Sequence, residues 1–254
     1  MTNPPAKKSL GQNWLVNTGV AERIVQAAGL DDSSTVLEIG PGTGVLTTLL
    51  SESAGRVIAV EKDARLIGEL RTRFTENPRI RIEEGDALEL DPTALGLESG
   101  GYTVVANLPY YITSHFIRML LSAWPRPSSA VLMVQSEVAE RMTAAAPDMN
   151  LLALSVSLYS AVERVMRVSR GSFRPVPSVD SAVVKLTPFV LEDTERTSRE
   201  RALDVARRAF GQKRKMLTAT LEESALLACG IEPSSRPQEL PSDAWLCLAQ
   251  RPSG

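Results

Sequence analysis

The sequence predicts an α/β chain: a doubly wound, mostly parallel sheet of seven strands, followed by a small all-helical domain. Three observations lead there. From residue 35 onward, short β-rich apolar runs alternate with helical patterns, as repeated βαβ units require. A glycine-rich turn, EIGPGTG, joins the first of those runs to its helix. Beyond about residue 190 the β-rich runs stop, and helical patterns alone continue, punctuated by GIEPSSRP and LPSDAW.

The elements follow in order. TVLEIG (35–40) reads as a first buried strand, and GVLTTLLSES as the helix behind it. RVIAVE (56–61) is a second strand, leading into the amphipathic ARLIGELRTRF. RIRIEEGDA (79–87) supplies a third strand with its exit loop, YTVVANLPYY a fourth, and SSAVLMVQ (128–135) a fifth that runs into the helix EVAERMTAA. VERVMRVS (162–169) and SAVVKLTPF (181–189) are two further strands, read as a hairpin closing one sheet edge because prolines flank the second. The domains are therefore expected at 1–190 and 191–254.

Composition limits the possibilities. With 254 residues, the chain has enough length for one large core and a small appended domain. It is 43% hydrophobic and 23% charged, ordinary for a folded soluble protein. No apolar run approaches the ~20 residues needed to cross a bilayer, and the N-terminus does not read as a secretory signal. Two late cysteines, Cys229 and Cys247, do not make a disulfide framework or a metal site, and are expected as thiols in a reducing cytoplasm. The formal net charge of −2 means that any nucleic-acid contact must come from a local basic patch.

Gly40, Gly42 and Gly44 form a G-x-G-x-G pattern, distinct from the G-x-G-x-x-G of dinucleotide folds and from phosphate loops. Two acids at later strand ends strengthen it. Glu61 ends the second strand, 17 residues after Gly44, where a carboxylate accepts from ribose hydroxyls. Asp86, followed by Ala87, is placed to accept from an adenine amino group. Together they mark an adenosine-containing ligand across the carboxyl ends of the strands. NAD and S-adenosyl-L-methionine both fit so far, and the glycine spacing favours the second.

The stretch NLPYY at the end of the fourth strand adds the chemistry. The Asn107 side-chain oxygen and a main-chain carbonyl, of Leu108 or Pro109, both accept hydrogen bonds from an exocyclic adenine amine, whose lone pair is then directed at a methyl donor. Pro109 stiffens the backbone. Tyr110 offers a face for a base taken out of its stack, a contact worth roughly 1–3 kcal/mol. Tyr111 reads equally as core or site. His115, the single histidine, is not needed.

At this point the chain resembles the ribosomal RNA adenine dimethyltransferases of the kasugamycin-resistance, small-subunit type. GQNWL, EIGPGTGVLT, VEKD, GDAL, NLPYYITS, VQSEVAERM, FRPVPSVDSAVV, AFGQKRKML and RPQEL resemble successive motifs of that family, in order and over nearly the whole chain. The resemblance implies a Rossmann-like class I methyltransferase domain and a helical RNA-binding domain. It implies S-adenosylmethionine-dependent N6,N6-dimethylation of adenines in 16S RNA, with a role in ribosome biogenesis. It also implies cofactor contacts at Asn13, Leu15, Gly40, Glu61, Asp86 and Asn107, and a second wall of the base pocket at Phe173. Read without the family, Phe173 is equally a core plug. Two departures stand out: Trp14 replaces the usual Phe, and AAAPDMNLLALSV (144–156) lacks the usual basic, Gly- and Tyr-containing loop.

Basic residues cluster. Residues 199–215 carry seven Lys/Arg, among them Arg207, Arg208, Lys213, Arg214 and Lys215, against two acids. Arg164, Arg167, Arg170 and Arg174 form a second cluster. Both suit phosphate contacts with ribosomal RNA. The expected protein is cytoplasmic and monomeric, with no membrane partner and no metal. The rival readings are a macrolide-resistance type large-subunit methyltransferase and a non-catalytic ribosome-assembly factor.

Overall fold

The computed structural model describes residues 5–7 and 11–251. In chain order the elements are β1 (Trp14–Leu15), α1 (Thr18–Ala28), β2 (Thr35–Ile39), α2 (Val45–Ser53), β3 (Arg56–Glu61), α3 (Ala64–Arg73), β4 (Ile80–Glu84), β5 (Thr103–Asn107) and α4 (Thr113–Ser122). They continue with β6 (Ser129–Gln135), α5 (Ser136–Met142), α6 (Leu151–Tyr159), β7 (Ser160–Val168), β8 (Phe173–Arg174), β9 (Ser181–Pro188), α7 (Asp193–Phe210), α8 (Glu223–Ala228) and α9 (Ser242–Ala249).

Seven strands form one sheet in the order β4-β3-β2-β5-β6-β9-β7. The pairs from β4 through β6 are parallel, and β9 is antiparallel to β6. The central strands read as unbroken apolar runs because both their faces are covered. Val36, Leu37, Val57, Ile58, Val104, Val105, Val131 and Leu132 are all fully buried. β9 lies between β6 and β7, so the final two strands do close one edge, as the flanking prolines suggest.

Local signals set the helix ends. Asn17 caps α1 by accepting from the Val20 N–H, and Gly29 ends it in the left-handed region. Asp63 caps α3, and Asn150 caps α6 by accepting from Leu152 and Ala153. Glu192 and Glu195 form a capping box at the start of α7.

The chain divides into two compact units, Met1–Ala139 with Val162–Pro188, and Glu140–Ala161 with Phe189–Gly254. The later division, between Pro188 and Phe189, lies beside the expected one at 190, and the 140–161 segment joins the second unit as well. The second unit is discontinuous, because α6 is a nearly all-apolar helix whose neighbours are α7 and α9. It does not belong with the sheet segments that flank it. A correction falls in the same unit. Cys229 and Cys247 are bonded as a disulfide and are not free thiols. The pairing joins the end of α8 to α9, a contact the spacing of 18 residues does not reveal.

Candidate active site

Strand order places the site. The chain builds outward from β2 to β3 and β4 on one side, then returns to β5 and β6 on the other. The crevice at such a reversal, at the carboxyl ends of the strands, is where open α/β sheets bind ligands. Here Ile39 pairs with Ala106, so the glycine turn leaving β2 and the NLPYY corner leaving β5 emerge side by side. A Cβ on Gly40 would lie 3.5 Å from the Asn107 carbonyl oxygen.

A cleft opens between them at this edge of the sheet. Its walls bring together Asn13, Gly40, Gly42, Glu61, Asp86, Ala87, Asn107, Leu108, Pro109, Tyr110 and Phe173. Leu15 lines a smaller adjoining cavity, shared with the glycine turn and Asn107. Gly44 lines neither. It sits at φ 78° as the cap of α2, and a Cβ there would lie 3.1 Å from the Phe74 ring, so its role is to let the turn close. At Gly42, with φ 57°, a Cβ would come within 3.1 Å of Trp14.

Glu61 is buried and braces the turn. One carboxylate oxygen accepts from the Gly42 N–H at 3.1 Å and the other from the Asp63 N–H at 2.8 Å. Burial pushes its carboxyl up, while those N–H groups oppose the shift. Asp86 takes the Lys62 ammonium on one oxygen at 2.5 Å and the Leu88 N–H on the other at 3.0 Å. Burial raises its carboxyl, but the Lys62 and Leu88 bonds outweigh this and hold it below the ordinary range.

The NLPYY corner resolves which carbonyl is free. The Pro109 oxygen already accepts from the Ile112 N–H and the Thr113 hydroxyl, each at 3.2 Å, where α4 begins. Both its lone pairs are engaged. The Leu108 oxygen carries no bond among the described residues. The Asn107 amide N–H donates to the Asn13 carbonyl at 3.3 Å, which leaves its side-chain oxygen as the acceptor. The acceptors left open at this corner are therefore the Asn107 side-chain oxygen and the Leu108 carbonyl, while the Pro109 carbonyl is taken up by the start of α4.

The aromatic residues divide. Tyr110 is half-buried on the cleft wall. Tyr111 also lines the cleft and is 59% exposed, so it is not core. Phe173 is 1% exposed and packs with Leu15 in the main apolar cluster while reaching the cleft wall. His115 is exposed on α4.

Sequence reasoning missed the strap that closes the cleft. β1 pairs with β8, setting Leu15 opposite Phe173 and Trp14 opposite Arg174. Gln12 donates to the buried carboxylate of Asp63 at 2.8 Å, and Arg65 holds the same group. The Arg65 guanidinium keeps the Asp63 carboxyl well below the usual carboxylate range. The sequence carried only a weak signal for the strap, because Asp63 in VEKD reads first as the N-cap of α3, a role it also fills. The buried Trp14 Nε1 has no partner among the described residues.

In the second unit, Arg207, Arg208, Lys213, Arg214 and Lys215 are all exposed, with Arg207 paired to Asp204.

A glycine-turn cleft at the reversal point of this sheet, completed by an Asn-Leu-Pro-Tyr corner, defines a Rossmann-like methyltransferase. Comparison with known proteins specifies the family. Residues 4–250 match the family described as ribosomal RNA adenine dimethylase, and the chain belongs to it. A ribosomal RNA small subunit methyltransferase A of Dehalococcoides mccartyi is 41% identical over 96% of this chain and 88% of its own. The protein of the same name in Geobacter metallireducens is 36% identical over 96% and 94%. A dimethyladenosine transferase structure from Plasmodium falciparum superposes with a TM-score of 0.77 at 31% identity, covering 92% of this chain and 95% of that one. The structure of a 23S rRNA methyltransferase, ErmE, superposes with 0.76 at 28% identity, over 94% and 98%.

Proposed function

We propose that the protein transfers methyl groups from S-adenosylmethionine to N6 of adenines in small-subunit ribosomal RNA, twice per adenine. The observation that carries this is the acceptor pair at the NLPYY corner. The Asn107 side-chain oxygen and the Leu108 carbonyl are two acceptors one residue apart, suited to the two N–H bonds of an exocyclic amine. Holding both N–H groups leaves the nitrogen lone pair out of the ring plane and free to react. After the first transfer one N–H remains for the pair to hold, and each transfer leaves a cationic nitrogen acidic enough to lose its proton to water, so no strong base is needed.

The cleft fits the cofactor. The positive-φ glycines present main chain without a Cβ, Glu61 and Asp86 suit the ribose and adenine, and Asn13, Leu15 and Ala87 complete the wall. When bound, S-adenosylmethionine supplies a methyl carbon already activated by its sulfonium, so positioning and dipole alignment carry the catalysis. Tyr110 offers the stacking face for the extruded base, with Phe173 as the deeper wall. The exposed basic residues around Arg208 and Lys213–Lys215 contact RNA phosphates. The curated relatives at 36–42% identity are small-subunit enzymes, which favours that substrate over the large subunit. The test is incubation with labelled cofactor and unmethylated small subunits. Label on adenine N6 supports the reading, and its absence from N6 overturns it.

A further inference from the structure

Tyr110 does not hang free in the cleft. Its hydroxyl lies 3.3 Å from that of Ser181, a residue exposed by only 1%. Ser181 opens β9 and belongs to the FRPVPSVDSAVV block, of which the proposed chemistry uses only Phe173. Sheet topology explains the meeting. β9 runs antiparallel to β6, so it enters the sheet at the end where β5 and β6 leave it, and Ser181 pairs with Gln135, the last residue of β6. The start of β9 is thereby brought to the same edge as the corner leaving β5.

The main chain around Ser181 is held from several directions. Its carbonyl accepts from the Ser136 hydroxyl at 3.1 Å, and the neighbouring Asp180 carbonyl accepts from the Ser136 N–H at 3.0 Å. The Asp180 carboxylate accepts from the Arg167 side chain at 2.8 Å and from the Arg170 N–H at 2.9 Å. The Ser181 backbone is thus fixed, and Tyr110 reaches its hydroxyl with the far end of its ring. A tyrosine held only at Cα swings through its two side-chain torsions. One bonded at both ends presents a single face.

We infer that Ser181 is a positioning residue for methyl transfer: its hydroxyl locks the Tyr110 ring in the orientation against which the target base stacks. The inference rests on the reading of Tyr110 as that stacking face. Ser181 touches neither base nor cofactor and acts through Tyr110. A loosened ring lets the base drift relative to Asn107 and Leu108, which lowers the rate of reaction more than the affinity for RNA or cofactor.

The test is a double-mutant cycle of Ser181→Ala and Tyr110→Phe, read as kcat and KM for unmethylated small subunits, affinity for S-adenosylhomocysteine, and melting temperature. Each single change is expected to lower kcat about 3- to 10-fold, the double change no further than the slower single one, with KM and cofactor affinity moving less than about twofold. Ser181→Thr, which keeps a hydroxyl, restores most of the rate. The inference is overturned if Ser181→Ala reacts at the parent rate, if the two losses multiply, or if cofactor affinity and melting temperature fall along with kcat. A parent protein that never methylates adenine N6 overturns the functional reading beneath it, an outcome visible in the control alone.

Discussion

The acceptor role proposed for Asn107 depends on a hydrogen bond made elsewhere. Because its N–H group is engaged by the Asn13 carbonyl, its oxygen faces the acceptor role by default. Asn107→Ala is expected to slow single-turnover transfer about 10²- to 10³-fold, the range for removing one positioned hydrogen-bonding group, and a rate within a few fold of the parent would contradict that role. Glu38 makes a different prediction. It is 1% exposed, and burial pushes it up to about 8 from 4.5; the adjacent Thr47 hydroxyl opposes the shift and the nearby Glu61 charge adds to it. Between those values the unfolded chain has released its proton while the folded one retains it. Stability therefore falls as pH rises through that window, by roughly 1 kcal/mol per unit, and flattens above it. Glu38→Gln should remove most of the slope between pH 6 and 8 in denaturant titrations. At this scale the sequence was a good guide to residue types and a poor one to engagement. Asn107, Glu61 and Asp86 could be named from NLPYY and the strand ends. That Pro109 is excluded as an acceptor depends on where α4 starts, and Gly44 lies outside the cleft because Phe74 packs over it.

The elements legible in advance were those whose environment is uniform along their length. β2, β3, β5 and β6 are covered on both faces, so their apolar runs have one reading. The β1–β8 pair was invisible because two residues on each side carry no periodicity, and their pairing joins Trp14 to Arg174 across most of the domain. The glycine turn yields the prediction proper to this scale. Gly42→Ala places a Cβ at positive φ and within 3.1 Å of Trp14. It should weaken S-adenosylhomocysteine binding at least ~10-fold in calorimetry, since left-handed backbone alone costs roughly 1–2 kcal/mol. Unchanged affinity would detach the turn from cofactor binding. The Cys229–Cys247 bond closes a loop of 18 residues. Reducing it is expected to cost about 3 kcal/mol, visible as an earlier denaturant midpoint, and coincident curves with and without reductant would contradict it.

For the whole molecule, the order of motifs along the chain anticipated the family. The division into units was harder to read, because α6 is joined to the sheet unit through its flanking segments yet packs with α7 and α9. The net charge of −2 conceals a concentrated patch. Reversing Lys213, Arg214 and Lys215 should weaken small-subunit binding and flatten its salt dependence by a log–log slope of about 2 to 3, with cofactor affinity unchanged. Superimposable binding by reversed and parent proteins across a salt series would remove the patch from the RNA surface.

The most direct measurement is nucleoside mass analysis after exhaustive reaction with unmethylated small and large subunits offered together. The arrangement at Asn107 and Leu108 predicts N6,N6-dimethyladenosine in the small-subunit RNA, dependent on Asn107. Methylation at another atom, or confined to the large subunit, would contradict it.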